Sequence, residues 1–319
     1  MTEFRRRRVG IDVGGTKCLG VVVDESGVAT EFARVPTPRS PEGLIGTLAA
    51  MVEGVGEIES VGVGVPGLVH LDGSIKASPN LFDVRDLPVR TLLSERLGRE
   101  VHVENDATCA AIAEWRSGAA RGWSDVVMVA LGTGIGGGII ANGRVVRGTN
   151  GFGGEIGHMV VDPDGPECPC GLRGCWERFA SGSALAARAR AVVSEGRGER
   201  MLSLAGDVAS LRGEHVESAA RAGDVEAQRI IDDFCRWVAL GLANLANILD
   251  PALIVIGGGL ASTGDSYIAG IRAWFARMLY APDLRPHPPV ELAHHGELAG
   301  AIGAAHLPTL ESDVGHRSE

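Results

Sequence analysis

Two apolar, strand-like runs in this chain end in a glycine-rich turn and then continue as a second strand. The first run, Val9 to Val13, is followed by Gly14-Gly15-Thr16-Lys17, and the second, Asp125 to Leu131, is followed by Gly132-Thr133-Gly134. A strand that doubles back after a short turn pairs with its predecessor in an antiparallel sheet. Each half of the chain is therefore expected to begin with the same sheet device. We interpret this as an internal duplication.

Helical patterns follow these strands in both halves of the chain, which predicts a mixed α/β fold. The patterns fall at 41–54, 107–116, 181–195, 225–249 and 265–280. We expect two α/β lobes with a ligand cleft between them. The N-terminal lobe takes 1–116 and, through a returning helix, about 298–319, and the C-terminal lobe takes 117–297. The proline-rich stretch 282–289 is the predicted linker.

Composition narrows the classes of function. A net charge of −10 and a pI near 5.4 argue against non-specific nucleic-acid binding, which needs a basic surface. Glycine is unusually frequent, at 46 of 319 residues, as expected where backbone must turn tightly or approach a ligand closely. The longest uncharged run, Val126 to Gly143, is interrupted by glycines, so no membrane segment is expected. No secretory signal fits the N-terminus, which favours a cytoplasmic location.

The two glycine turns are candidate phosphate loops. Glycines allow backbone N–H groups to approach phosphate oxygens, Thr16 and Lys17 can donate hydrogen bonds, and Asp12 can act through Mg²⁺. An ordinary β-turn is the alternative for the first turn. The second contains G-x-G-x-x-G between Gly132 and Gly137, but that dinucleotide fingerprint must open a helix, and here a strand continues. No G-K-[ST] occurs, so a Walker-type loop is excluded.

The string Glu104-Asn105-Asp106-Ala107 lies where a predicted strand passes into a predicted helix. Asn105 or Asp106 could serve only as the N-cap of that helix. The functional alternative is that Asp106 is the base for a substrate hydroxyl while Asn105 binds a neighbouring group.

Four residues have the spacing of a zinc site, H-x9-C-x-C-x4-C: His158, Cys168, Cys170 and Cys175. Three thiolates and one imidazole complete a tetrahedral shell, so the zinc would be structural. Glu177 follows two residues after the last cysteine and would be held rigidly by this knuckle. One ring nitrogen of His158 can bind zinc while the other faces a ligand.

Taken together and in this order, these strings resemble the ROK family of sugar kinases, and in particular its bacterial glucokinases. The resemblance covers most of the chain, and the cysteine knuckle with its following glutamate is its most specific part. The matching strings are G-I-D-V-G-G-T-K at 10–17, G-V-G-V-P-G at 62–67, E-N-D-A at 104–107, L-G-T-G-I-G-G-G at 131–138, E-I-G-H at 155–158, C-P-C-G-L-R-G-C-W-E at 168–177 and I-G-G-G at 256–259. This family implies a two-lobed actin-like ATPase fold, related to ribonuclease H.

The resemblance also implies the reaction and the residues that perform it. The reaction is ATP-dependent phosphorylation of D-glucose to glucose 6-phosphate, with Asp106 as catalytic base and Mg²⁺ bound with ATP. The implied sugar ligands are Asn80, Asn105, Asp106, Glu155, His158 and Glu177. The implied nucleotide contacts are Asp12, Gly14, Gly15, Thr16, Lys17, Gly132, Thr133, Gly257, Gly258 and Gly259. The implied zinc ligands are His158, Cys168, Cys170 and Cys175.

Alternatives remain open within this resemblance. Relatives that act on N-acetylglucosamine, N-acetylmannosamine, mannose or fructose are second candidates to glucose kinases. A sugar-sensing regulator is a candidate of a different class, but only nine residues precede Gly10, too few for a DNA-binding helix-turn-helix. The family also suggests a homodimer or homotetramer.

Overall fold

The computed structural model describes residues 7–79, 81–82, 84–259 and 265–315, with backbone only at 265–266 and 311–315. The predicted α/β class is confirmed. The described strands are β1 Arg8–Val13, β2 Lys17–Val23, β3 Ala29–Pro36, β4 Ser60–Val65, β5 Leu68–Val69, β6 Ile75–Ser78, β7 Val84–Leu87, β8 Val101–Asn105, β9 Val126–Leu131, β10 Ile135–Ala141, β11 Arg144–Val145, β12 Leu253–Gly257 and β13 Val290–Leu292. The described α-helices are α1 Pro41–Glu53, α2 Val89–Leu97, α3 Asp106–Ser117, α4 Glu177–Ala180, α5 Gly182–Ser194, α6 Glu199–Ala205, α7 Gly213–Arg221, α8 Val225–Leu249, α9 Asp265–Met278 and α10 Ala299–Gly315.

The two larger sheets have the same strand order. The first runs β3-β2-β1-β4-β8 and the second β11-β10-β9-β12-β13. In the first, β1 pairs antiparallel with β2 and parallel with β4, and in the second β9 and β12 are parallel. The predicted duplication is therefore confirmed. β5, β6 and β7 form a small third sheet.

Internal packing divides the chain into two compact units. The first, unit 1, comprises 1–124, 138–154 and 294–319, and unit 2 comprises 125–137 and 155–293. The segment 138–154 thus belongs to unit 1, whereas the sequence placed it in the C-terminal lobe. The physical reason is that Gly138 lies directly against Ala111 of α3. No sequence pattern predicts this contact.

The predicted linker 282–289 does not mark a boundary between units. It lies wholly inside unit 2 and leads into β13, whose Val290 pairs with Ile254 of β12. The change of unit comes after Ala293 instead. Proline here shapes the approach to an edge strand, where a missing backbone donor is tolerated.

Helix α10 packs on the first sheet at unusually short range. A Cβ atom added to Gly10 of β1 or Gly62 of β4 would lie 1.9 Å from the carbonyl oxygen of Ala301 or Ala304, respectively. Only glycine therefore fits at these two sheet positions, and the helix face is correspondingly rich in alanine. This contact fixes the returning C-terminal helix on β1 and β4 within unit 1.

In unit 2, the long helix α8 contributes more buried residues than any other described helix. Its buried face includes Ile230, Phe234, Val238 and Leu242, spaced four residues apart, close to one helical turn. Among the described residues, no helix combines the length and the apolar character needed to cross a bilayer.

Candidate active site and metal centre

The acidic candidates of unit 1 lie at the carboxyl edge of its parallel strands. Asp12 of β1 is in register with Gly64 of β4, and Gly64 is in register with Glu104 of β8. Asp106 follows β8 by one residue and begins α3. Because the carboxyl ends of parallel strands meet at one edge of a sheet, Asp12 and Asp106 are brought together, as the pKa of Asp12 also indicates.

Asn105, and not Asp106, is the N-cap of α3. Its side-chain oxygen accepts a hydrogen bond from the Thr108 amide at 3.0 Å, and its Nδ2 donates to the carbonyl oxygen of Gly67 at 3.2 Å. The capping interpretation is therefore correct for Asn105. The two bonds described for its side chain use one of two amide donors and one of two oxygen lone pairs, so its amide has further capacity to bind a ligand. Asp106 lies in the first helical turn, where its Oδ1 accepts from the Ala107 amide at 2.8 Å.

Both aspartates of this edge hold protons more tightly than usual. Burial, reinforced by the charge of Asp106 and opposed by that of Lys17, raises the pKa of Asp12 to about 7. Burial also raises the pKa of Asp106, against the hydrogen bond from Ala107. A carboxylate with a raised pKa is a better proton acceptor, which is what general-base catalysis requires.

The first glycine turn is held in place by Thr37, the residue that follows β3. Thr37 donates its hydroxyl to the Gly14 carbonyl oxygen at 2.6 Å, and its amide donates to Thr16 O at 3.0 Å. Gly15 and Thr16 are left exposed at the tip of the turn. Lys17 donates through Nζ to Glu297 Oε2 at 2.7 Å. The turn therefore presents backbone and hydroxyl donors while its lysine is engaged by a carboxylate.

In unit 2, both predicted nucleotide loops lie at the ends of adjacent parallel strands. Gly257 is in register with Ala130, the residue before Leu131 at the end of β9. Gly258 has φ +85°, and an added Cβ would lie 2.5 Å from the Leu131 carbonyl oxygen, so the backbone of 257–259 approaches the Gly132 turn closely. Thr133 is exposed on that turn.

The four predicted zinc ligands form one cluster. Their donor atoms all lie within 4.8 Å of one another. Cys170 Sγ is 3.6 Å from Cys175 Sγ, and Cys168 Sγ is 3.8 Å from His158 Nδ1. Ligands at the usual zinc distances in a tetrahedron lie about 3.5–3.8 Å apart. Donor set and spacing thus both fit a structural zinc ion, and Nε2 of His158 is left for another partner.

Glu177 is fixed between this cluster and the second glycine turn. Its Oε1 lies 3.3 Å from Cys168 Sγ, and an added Cβ on Gly134 would lie 2.5 Å from its Oε2. The preceding residue, Trp176, is fully buried and donates its indole N–H to the Trp237 carbonyl oxygen at 2.7 Å. Glu177 therefore lies beside the cluster, and its buried neighbour Trp176 anchors the backbone that carries it. That the cluster holds Glu177 rigidly stays a prediction.

The remaining predicted ligands are Glu155 and Asn80. Glu155 is partly buried and precedes the 3₁₀ turn Ile156–His158, where its carbonyl oxygen accepts from the His158 amide at 3.2 Å. Asn80 lies outside the described residues. Sequence reasoning missed Thr37 and Glu297, which hold the first turn, because both are distant in the chain and have no motif of their own.

The repeated sheet order, with a glycine turn after the first strand of each sheet, defines an actin-like ATPase fold. A sequence model of the ROK family matches residues 8–310. The chain therefore belongs to the ROK family.

Three relatives are informative. The glucokinase of Streptomyces coelicolor is 41% identical over 306 residues, which cover 94% of this chain and 96% of the glucokinase. The N-acetyl-D-glucosamine kinase of Pectobacterium carotovorum is 34% identical, covering 95% and 99% of the two chains. A crystal structure of a ROK family glucokinase from Streptomyces griseus, in complex with glucose and AMPPNP, superimposes with a TM-score of 0.85 at 40% identity, covering 94% and 98%.

Proposed function

We propose that the protein catalyses ATP-dependent phosphorylation of D-glucose to glucose 6-phosphate, with Asp106 as the general base. The observation that carries the assignment is the partly buried Asp106 carboxylate, whose pKa is raised, at the start of α3 beside the sugar-ligand candidate Asn105. Similarity to glucokinases at about 40% identity over nearly the whole chain supports both the reaction and the sugar.

The reaction asks the protein mainly for positioning and charge stabilisation, because its transition state is loose. Asp106 orients the 6-hydroxyl of the sugar toward the γ-phosphorus and accepts the hydroxyl proton as the new O–P bond forms. The bond between the γ-phosphorus and the β–γ bridging oxygen breaks in the same step, and ADP leaves. Backbone N–H groups of Gly15, Thr16 and Thr133 bind the phosphate oxygens. The amides of Gly14 and Gly132 donate within their own turns, to Lys17 O at 2.9 Å and to Gly134 O at 3.0 Å, so these two glycines shape the loops around the phosphates. Gly257 to Gly259 contact the adenosine end of the nucleotide.

The sugar is held by hydrogen bonds to its remaining hydroxyl groups. We assign these to Asn105, Glu155, His158 and Glu177, and to Asn80. Nε2 of His158 is the available donor or acceptor if Nδ1 binds zinc. Fixed partners of this kind hold the sugar in the orientation that the transfer needs.

Two metal ions belong to this proposal. Asp12 would hold the Mg²⁺ that accompanies ATP, since a partly buried carboxylate beside a second acidic group favours a hard dication. Mg²⁺ supplies charge neutralisation on the transferring phosphoryl group. His158, Cys168, Cys170 and Cys175 would hold a structural zinc ion, which stiffens the segment carrying Glu177.

A hexose panel tests the proposal. Purified protein is incubated with ATP, Mg²⁺ and each of glucose, mannose, fructose, N-acetylglucosamine and N-acetylmannosamine, and ADP release and the sugar phosphate are measured. We expect glucose to be turned over preferentially. Turnover of N-acetylglucosamine alone would keep the reaction and replace the substrate, an outcome to which the 34% identical N-acetyl-D-glucosamine kinase gives weight. Turnover of no sugar would refute the kinase assignment.

Cytoplasmic location and assembly as a homodimer or homotetramer stay predictions. Sedimentation of the purified protein at two concentrations measures the assembly. A species of the mass of one 33.2 kDa chain would contradict it.

A further inference from the structure

Arg147 lies in unit 1, next to the residues that carry the proposed base. Its Nε donates to Glu104 Oε2 at 2.5 Å, and Glu104 is only 5% exposed. The other carboxylate oxygen, Oε1, accepts from the amide of Asn105 at 2.9 Å. One buried carboxylate therefore joins the guanidinium of Arg147 to the residue that immediately precedes Asp106.

The contacts continue from Asn105 into the start of α3. Asn105 caps the helix through Thr108 and is tied to Gly67 through its Nδ2. Asp106 is the first residue of that helix. A change in the position of Glu104 would therefore move the capping residue and, with it, the helical turn that carries Asp106.

Arg147 is itself held by the loop that it opens. Its carbonyl oxygen accepts from the Gly153 amide at 2.8 Å, which closes the segment 147–153. That segment is tied to the turn after β5, because Leu71 donates its amide to Asn150 O at 3.2 Å. The guanidinium is thus presented to Glu104 by a backbone that is already in place, and little ordering remains when the pair forms.

A cavity of about 170 Å³ borders this pair, lined in part by Glu104, Arg147, His70 and Arg90. On that side the two side chains face open space and have no packing partner. The charged hydrogen bond therefore contributes to fixing Glu104, since such bonds are stronger and more directional than neutral ones.

We infer that Arg147 is a positioning residue for phosphoryl transfer, acting through Glu104 to hold Asn105 and Asp106 in place for the sugar. The inference rests on the proposed function, because Asp106 is taken as the base and Asn105 as a sugar ligand. It assigns to the Glu104–Arg147 pair a role that differs from general stabilisation of the fold.

The test compares kinetics with stability in three variants. Arg147→Met removes the cation and leaves Glu104 buried without it, so both kcat and Tm fall. Glu104→Gln/Arg147→Met removes both charges, so Tm recovers toward the wild type, while kcat stays low. We expect kcat to fall about 10- to 100-fold in both, the usual result of a displacement near 1 Å. Arg147→Lys restores a cation and is expected to regain part of kcat.

The split between kinetic constants sharpens the test. KM for glucose rises several-fold because Asn105 moves, whereas KM for ATP stays within about twofold because Asn105 and Asp106 are assigned to the sugar and not to the nucleotide. Arg272→Gln is the matched control. Like Arg147, Arg272 donates to a glutamate, here Glu291, and it also donates to the Val290 carbonyl oxygen, but it lies in unit 2. It should lower Tm and leave kcat unchanged.

The outcomes separate this inference from the proposed function. If the wild type phosphorylates glucose and the double variant regains kcat together with Tm, the pair is merely structural and the inference is wrong. The same holds if Arg147→Met loses Tm but keeps kcat. If the wild type phosphorylates no sugar, the proposed function fails first and the inference falls with it.

Discussion

The acidic edge of unit 1 and the Cys/His cluster of unit 2 are built on opposite principles. At the acidic edge, burial disfavours the charged forms of Asp12 and Asp106 and raises both pKa values. At the cluster, four metal-donor atoms lie within 4.8 Å of one another, and Glu177 lies beside them. The acidic edge lowers the stability of the fold and creates reactive carboxyl groups. We expect the Cys/His cluster to make its segment rigid and to hold Glu177, which only has to bind the sugar.

This difference matches the two tasks that phosphoryl transfer sets. A base must hold a proton more tightly than an ordinary aspartate, and such groups are obtained by burial at the expense of the fold. A sugar ligand such as Glu177 must keep its position, which a metal-centred cluster provides. We therefore expect variants of the two regions to separate kcat from affinity and stability.

The largest effect is expected at the base. Asp106→Asn removes the proton acceptor and should lower kcat about 10²- to 10⁴-fold with little loss of sugar binding. Initial rates and glucose binding by calorimetry measure the two effects. Asp86→Asn is the matched control, because Asp86 is exposed and pairs only with Lys76 among the interactions described for it. Near-wild-type turnover of Asp106→Asn would refute the assignment of the base.

Replacing a predicted zinc ligand should give the opposite pattern. Cys170→Ser is expected to lower the metal content, the Tm and the affinity for glucose together, with KM for glucose rising about 10-fold or more. Elemental analysis, thermal unfolding and kinetics follow the three quantities. Cys235→Ser, at a buried cysteine outside the cluster, should leave the metal content unchanged. If fully active wild-type protein contained no zinc, the metal assignment would be refuted.

Much of the fold could be predicted from the sequence because its signals are local. The strand, glycine turn and strand of each half lie within about twenty residues, and the turn residues mark where the chain reverses. The position of 138–154 could not be predicted in this way. It depends on the contact of Gly138 with Ala111, which only the folded chain brings together.

In the candidate site, too, features with local sequence signals could be predicted, and features that depend on distant residues could not. The cysteine spacing predicts a cluster because its four ligands lie within 18 consecutive residues, 158–175. No sequence spacing predicts the pairing of Arg147 with Glu104, which lies 43 residues away. The raised pKa of Asp12 likewise needs Asp106 as a neighbour, and a sequence alone does not give that distance.

A smaller effect, on stability, tests whether the acidic edge is costly. Folded Asp12 holds its proton up to about pH 7, and its ordinary pKa is 3.8, so the folded state binds more protons between these values. Stability therefore falls as pH rises through that window. Asp12→Asn should remove this dependence and be more stable than the wild type at pH 8 by about 1–3 kcal/mol.

Urea unfolding at pH 5 to 8, without Mg²⁺ or nucleotide, measures this difference. Asp72→Asn is a control of opposite sign, because hydrogen bonds from Ser74 lower the pKa of Asp72 to about 2. Its stabilising effect is present above about pH 4 and is lost as pH falls further. If Asp12→Asn were less stable than the wild type at pH 8, the contrast between the two regions would break down.

The smallest effect concerns Lys17, the one cation within the first glycine turn. Glu297 accepts from both Lys17 and Arg34, and these hydrogen bonds lower its pKa to about 2, so it remains charged and competes with phosphate for Lys17. Glu297→Gln should lower KM for ATP about 2- to 5-fold, the range that an exposed ion pair allows, and less so at high salt. Glu31→Gln removes the other partner of Arg34 without touching Lys17 and should leave KM for ATP unchanged. An increase in KM for ATP in Glu297→Gln would mean that Glu297 positions Lys17 for the nucleotide. The first glycine turn would then resemble the Cys/His cluster, in which neighbouring groups hold a ligand-binding side chain in place.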